Sequence, residues 1–235
     1  MWDNAPLLRS IANALFASSA CAVLYGAAFY ATHLPGWFPV QTVRLSAVPQ
    51  HVEATEVLQV VRSAARGNFF TVDIDRMRLS LGKLHWVRNV SIRREFPHGL
   101  VLQIEEDQAL ARWNNVALVN RQGEVFAAES EQQLPLFTGQ DGTAAEMAQQ
   151  YAQFSQQLAG LDLRVTQLGL SARHAWQLRL SNGMVLELGR DDMQQRLARF
   201  VEVYPYSLAA ASGKVKYVDL RYRNGFAVSG LAKQG

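Results

Sequence analysis

The run SIANALFASSACAVLYGAAFYA, from Ser10 to Ala31, contains no charged residue, and it limits what the chain can become more than any other feature. Wound as a helix, these residues rise about 33 Å at 1.5 Å each, enough to cross the roughly 30 Å hydrocarbon core of a bilayer. Trp2 on one side, and Tyr30, Trp37 and Phe38 on the other, stand where interfacial aromatics belong. Arg9 precedes the run and Arg44 is the first Lys, Arg, Asp or Glu after it, which favours an N-terminus in the cytoplasm. A cleaved secretory signal has a shorter apolar region and a small-residue cleavage site, and Ser18-Ser19-Ala20 before Cys21 fits a lipoprotein signal poorly. The expectation is a cytoplasmic tail over 1–9, a transmembrane helix over 10–31, a juxtamembrane linker over 32–39, and export of everything beyond. Cys21, the one cysteine, falls inside the span, so the exported part has no disulfide framework.

The remainder reads as two α+β units, 40–108 and 109–235. In the first the order is strand, helix, helix, strand, strand. Val40, Thr42 or Val43, and Leu45 open it. Val57, Val60 and Val61 recur at helical spacing between Glu53 and Arg66, with Gly67 as the stop. Met77, Leu81 and Leu84 share a face of a second helix that Asp73 or Asp75 can cap. The stretches 86–92 and 100–105 alternate as strands around the turn Phe96-Pro97-His98-Gly99. Two helices cover one face of such a sheet, leaving Asn89, Ser91, Arg93 and the neighbourhood of Arg94 as a wet second surface.

The second unit is β-rich with two helices. Residues 117–126 read as a hairpin. Thr143-Ala144-Ala145-Glu146 has the form of a capping box, ahead of a stripe of Met147, Tyr151, Phe154, Leu158 and Leu161 that Gly160 closes. Strands over 163–170, 176–180 and 184–188 follow. A second amphipathic helix then carries Met193, Leu197, Phe200, Val201 and Tyr204, with Pro205 after it.

Chemistry is hard to find. His33, His51, His85, His98 and His174 stand at no metal-ligating spacing, and no zinc-binding HExxH pattern occurs. Glu105-Glu106-Asp107 reads as a solvated strand end, because strand neighbours face opposite sides. Asp73 and Asp75 start like a calcium loop but lack its later glycine and glutamate. There is no nucleophile elbow, phosphate loop or dinucleotide fingerprint. The formal charge of +3 is spread out, with local clusters only at Arg93-Arg94 and at Lys214, Lys216, Arg221 and Arg223. That argues against nucleic acid, which calls for a denser basic stripe. No cofactor, metal, catalytic residue or small-molecule substrate is expected.

The closing segment is more telling. In VDLRYRNGFAV, residues 218–228, Val218, Leu220 and Tyr222 alternate with polar residues, and Asn224-Gly225 signals a tight hairpin turn. The returning strand, Phe226 to Ala232, carries no charge or proline before Lys233. Proteins usually blunt an edge strand with such residues, so its bare N–H and C=O groups invite a partner's strand. Tyr222, Phe226 and Arg221 are of the types that dominate binding energies.

A span followed by GNFFTVDIDRM (67–77), LHWVRNVSIRREFPHGLVLQIEE (84–106), ALARW (109–113), LVNRQGEVF (118–126), LPLFTG (134–139) and VDLRYRNGFAV (218–228) closely resembles the FtsQ family of bacterial cell-division proteins, called DivIB in other bacteria. The first unit resembles its POTRA module and the second its β domain; many members differ in having a longer cytoplasmic tail. The resemblance implies a non-enzymatic, single-pass scaffold of the division complex in the inner membrane, with a periplasmic C-terminal part enriched at the septum. It implies FtsB and FtsL as partners, and septal wall synthases beyond them. Carried over by motif, the partner would dock at Arg221, Tyr222, Asn224, Gly225, Phe226, Val228 and Ser229. The competing readings are a membrane-anchored periplasmic enzyme acting on the cell wall, marked by a cleft with a perturbed carboxylate or histidine, and a transport factor, which would need repeated POTRA units or barrel strands.

Overall fold

The N-terminal apolar run forms a single helix, α1 (Ala5–His33), in a computed structural model that describes residues 5–34, 36–210, 214–223 and 225–230. At about 1.5 Å per residue α1 is ~43 Å long, comparable to a whole bilayer with its headgroups. None of its residues is buried, and Leu15, Phe16, Val23, Leu24 and Phe29 all point outward. Among the described residues it is the one helix long and apolar enough to cross a membrane. Trp2 of the expected interfacial set lies outside the described residues.

Beyond α1 the chain divides between Glu106 and Asp107 into two units. The first follows the expected order: β1 (Thr42–Leu45), α2 (Ala54–Ala64), α3 (Ile74–Leu81), β2 (Val87–Glu95) and β3 (Gly99–Glu106). The sheet order is β1-β3-β2, with β1 parallel and β2 antiparallel to β3. Val57 and Val61 of α2 and Met77 and Leu81 of α3 are buried, as are Val90, Ile92, Leu100 and Leu102 of the sheet. Asp73, rather than Asp75, caps α3, accepting the Arg76 N–H at 2.9 Å, while Asp75 pairs with Arg78.

One sequence expectation fails here. Register pairs Arg94 with Leu100 and Arg93 with Val101, so the two arginines lie on opposite faces. Arg94 belongs to the helix-covered side, where its Nε and Nη2 donate to the carbonyls of Phe69 and Val72, both at 2.9 Å. It holds the loop between α2 and α3 and is not part of the wet surface with Asn89, Ser91 and Arg93.

Glu106 is also not a solvated strand end. Its carboxylate accepts the backbone N–H groups of Gln50 (3.0 Å), His51 (2.8 Å) and Val52 (2.9 Å), fixing the approach to α2. Partial burial pushes this carboxyl upward, but those N–H donors outweigh it and hold it below its ordinary 4.5. The sign follows: a depressed folded value gives stability that is present above pH 4.5 and lost as pH falls through the folded value. Glu106→Ala should destabilise the first unit by about 1–2 kcal/mol at neutral pH, because three backbone N–H groups, of which only that of Val52 is at a buried residue, lose a charged acceptor. The variant's stability should also lose part of the wild type's decline below that pH, a difference that denaturant melts across pH measure.

Among the described residues the second unit forms one nine-stranded sheet, ordered β12-β11-β10-β9-β8-β7-β4-β5-β6. Its strands are β4 (Ala109–Trp113), β5 (Ala117–Asn120), β6 (Val125–Phe126), β7 (Leu136–Thr138), β8 (Val165–Leu170), β9 (Trp176–Leu180), β10 (Val185–Gly189), β11 (Tyr217–Asp219) and β12 (Ala227–Ser229). Helices α4 (Ala144–Leu158) and α5 (Met193–Ser207) connect the parallel pairs β7/β8 and β10/β11 and contribute Met147, Phe154, Leu158, Leu197 and Phe200 to the core. Trp176, Leu178, Leu186, Leu188 and Val218 meet them from the sheet.

Three local expectations change. The Thr143 side chain donates to the Gln140 carbonyl at 2.7 Å and makes no cap bond, so the expected capping box does not form. A short 3-10 turn follows α4, and the left-handed stop is Asp162 (φ 53°), two residues beyond Gly160. Pro205 sits inside α5, in its last turn, where a missing N–H forfeits one bond near the end of the ladder.

Candidate functional site at the sheet edge

The candidate residues gather where the chain leaves β10, forms β11 and returns as β12. Strand β11 runs parallel to β10, with Val218 opposite Leu186 and Asp219 opposite Glu187. The Leu220 N–H continues that ladder by donating to the Glu187 carbonyl at 2.9 Å, which directs the N–H and C=O of Val218 toward β10. The intervening residues Tyr217 and Asp219 therefore turn theirs toward β12, where they oppose Ser229 and Ala227. By the same alternation, the N–H and C=O of Val228 point away from β11, to the outer edge of the sheet. Among the described residues β12 has a single strand neighbour, β11.

The sequence suggests a tight Asn224-Gly225 turn between β11 and β12. Asn224 lies outside the described residues, and Gly225 is not among the glycines with positive φ that a two-residue primed turn requires. The strands are short, and the described pairing ends at Asp219 opposite Ala227. Asp219 accepts the Arg221 N–H at 3.0 Å and takes its guanidinium as a fork, Nε to Oδ1 at 2.9 Å and Nη2 to Oδ2 at 2.6 Å. From α5, Arg199 donates to the carbonyls of Tyr222 (3.3 Å) and Arg223. The expected continuation through Leu231 and Ala232 also lies outside the described residues.

Electrostatically the site centres on the Asp219–Arg221 pair. Asp219 is 8% exposed, and the charged fork from Arg221 holds its carboxyl below the ordinary 3.8. The Asp219 carboxylate in turn raises the already high Arg221 value. The pair fixes the direction of Arg221, which stays exposed along the rim. Gly189 makes room for it: at φ +72° it occupies the left-handed region, and an added Cβ would lie 3.1 Å from Arg221 Cγ.

The other candidates divide by face. Phe226 and Val228 are half-buried against the core, while Ala227 and Ser229 are exposed on the opposite face. A charge at Phe226 or Val228 would therefore test folding as well as docking. Tyr222 is exposed, and a depression of about 460 Å³ lies between Arg199, Glu202 and Val203 of α5 and Leu220, Arg223, Gly225 and Phe226 of the loop. What the site offers is a main-chain edge beside an oriented guanidinium and an exposed phenol, a set suited to gripping an extended peptide.

Sequence reasoning missed Asp219, Arg199 and Gly189. For Asp219 the signal was present: opposite charges two residues apart on a strand share a face. Arg199 and Gly189 carry no such mark, since only the crossover of α5 brings them near residues 221–223.

Known proteins place this geometry in context. The family model "Cell division protein FtsQ/DivIB, C-terminal" matches residues 111–221, and "POTRA domain, FtsQ-type" matches residues 38–107. The first match ends at Arg221, before β12. Cell division protein FtsQ of Nitrosospira multiformis is 40% identical over 98% of this chain and 99% of its own length. FtsQ of Burkholderia pseudomallei is 35% identical over 97% and 94%. FtsQ of Escherichia coli is 38% identical over 69% and 62%.

Proposed function

Because this chain belongs to the FtsQ/DivIB family of cell division proteins, we propose that it is a membrane-anchored, non-enzymatic scaffold of the division complex whose exported second unit binds FtsB, together with FtsL, along the free edge of β12. In this reading the N-terminus is cytoplasmic, the two units lie in the periplasm at the septum, and the bound subcomplex helps bring septal wall synthases into place. The observation that carries it is the outward-facing N–H and C=O of Val228 on the last strand of the sheet. A partner strand there gains main-chain hydrogen bonds for affinity, and Ala227, Ser229, Tyr222 and Arg221 beside it supply side-chain selection. Gly225 joins the site beside Phe226 in the depression next to α5, and Asn224, which the family resemblance adds, lies outside the described residues.

Co-purification of the full membrane-embedded chain with FtsB and FtsL tests this reading. A chain ending at Tyr222 should capture neither. Tyr222→Ala, at an exposed position, should weaken capture by about 2 kcal/mol, roughly 30-fold, if the phenol is an anchor. Undiminished capture by the shortened chain would overturn the proposal, and a loss below about 0.5 kcal/mol would remove Tyr222 from the site.

A further inference from the structure

The end of α1 is locked to the first unit through Asn68. This side chain is 3% exposed, and its Nδ2 donates to the carbonyl of Thr32 (2.6 Å), a group in the last turn of α1 that the helix ladder leaves over, and to that of Leu34 (3.4 Å), which also accepts the Trp37 N–H at 3.2 Å. Its Oδ1 accepts the N–H groups of Phe70 and Thr71 and the Thr71 hydroxyl, each at 3.0 Å. The Phe69 N–H donates to the Phe38 carbonyl at 2.8 Å, and the rings of Phe38 and Phe70 meet edge to face at 5.3 Å. The linker after α1 is thus bonded to the loop between α2 and α3.

Around this latch three large aromatics face outward: Trp37 at 55%, Phe70 at 42% and Phe96 at 73% exposed. Phe96, in the β2–β3 turn, touches Phe69, whose ring also contacts Phe70. If α1 spans the bilayer, the charge-free run ends at Ala31 and Thr32 lies at the hydrocarbon boundary. The three aromatics then fall at the headgroup level, where amphipathic rings are favoured.

We propose that Trp37, Phe70 and Phe96 form a foot by which the first unit rests in the outer interface of the bilayer, held at that depth by Asn68. The inference rests on reading α1 as a membrane span. The Arg44–Glu95 ion pair, next to Phe96 and largely exposed, keeps the foot at headgroup level and out of the hydrocarbon. The partner is a lipid surface; a protein partner on the same aromatics is the outcome the test excludes.

The full chain, reconstituted into phosphatidylethanolamine–phosphatidylglycerol vesicles, can carry one environment-sensitive fluorophore on a single cysteine. The positions are Cys21 itself and, in a Cys21→Ser background, Phe70→Cys, Phe96→Cys and Val48→Cys. Val48 is 88% exposed, but it lies past the end of β1 remote from the Phe96–Gly99 turn, so it controls for exposure alone. Lipid bearing a nitroxide near the acyl carbonyl should quench positions 70 and 96 several-fold more than position 48. Asn68→Asp, which keeps the Oδ1 acceptor but loses the donor to Thr32 and Leu34, should bring quenching at 70 down toward that at 48. Should 70 and 96 match 48 while position 21 is quenched from within the bilayer, the foot is wrong and the span stands. A position 21 left unquenched by lipid carrying its nitroxide at the end of the acyl chain would overturn both, and quenching at 70 that survives Asn68→Asp would remove the latch.

Discussion

Val228→Pro should leave the second unit folded and cost at least about 2 kcal/mol, roughly 30-fold or more, in affinity for FtsB. Proline is accepted on an edge strand where the N–H it lacks would face solvent, and the N–H of Val228 faces the outer edge. Its ring keeps apolar contact beneath the strand, where Val228 is half-buried against the core. Ala227 before it is already extended, as a residue preceding proline must be. An incoming strand, however, loses its donor there and leaves a carbonyl without a partner, which costs more than the net worth of the bond. Titration calorimetry, paired with a thermal melt of the same sample, separates the two effects. An unchanged melt with weakened binding is expected; normal affinity would remove the edge from the interface.

The largest stability effect should come from the opposite end of the same sheet. Gly123 sits in the β5–β6 turn at φ +81°, and a Cβ there would lie 2.2 Å from the Cα of Ala145 in the first turn of α4. Neither backbone can yield. On one side Asn120, 1% exposed, pins the turn by accepting the N–H groups of Gln122 and Glu124 and donating to Asp107 and Glu124. On the other, α4 is anchored by buried Ala144, Met147 and Ala148. Gly123→Ala combines a strained φ with a backbone clash and should destabilise the second unit by about 3 kcal/mol or more, ~10 °C in Tm. A loss under about 1 kcal/mol would mean the turn and helix can separate.

What the sequence made legible follows from which forces are local. The alternation of Val87–Ile92 and Leu100–Ile104 and the helical spacing of Val57 and Val61 reflect burial on one face, and each appears as an element. The stripe from Met147 to Leu158 is core for the same reason. The failures involve partners far along the chain. Arg94 looks like Arg93 in sequence, yet strand parity sends it to the carbonyls of Phe69 and Val72. Glu106 looks like a solvated carboxylate until the segment at Gln50–Val52 is brought against it. Thr143 spends its hydroxyl on Gln140 because the preceding turn offers a carbonyl first.

The site divides in the same way. The edge position of its last described strand was readable, because an uncharged strand after a polar turn marks an edge. Its internal geometry was not. The Asn-Gly pair draws the eye, but what organises the described residues is the Asp219–Arg221 fork and the reach of Arg199 from α5, the second of which no local pattern marks. Parallel pairing of β11 with β10, set by the α5 crossover, decides that Val228 rather than its neighbours turns its backbone outward.

Hydrogen exchange at the Val228 amide, measured on the full chain with and without FtsB, probes the docking edge most directly. Exchange of this outward N–H should be fast in the free protein and slow by about 100-fold or more when a partner strand closes over it. A complex that forms while Val228 keeps exchanging at its free rate would contradict docking at this edge.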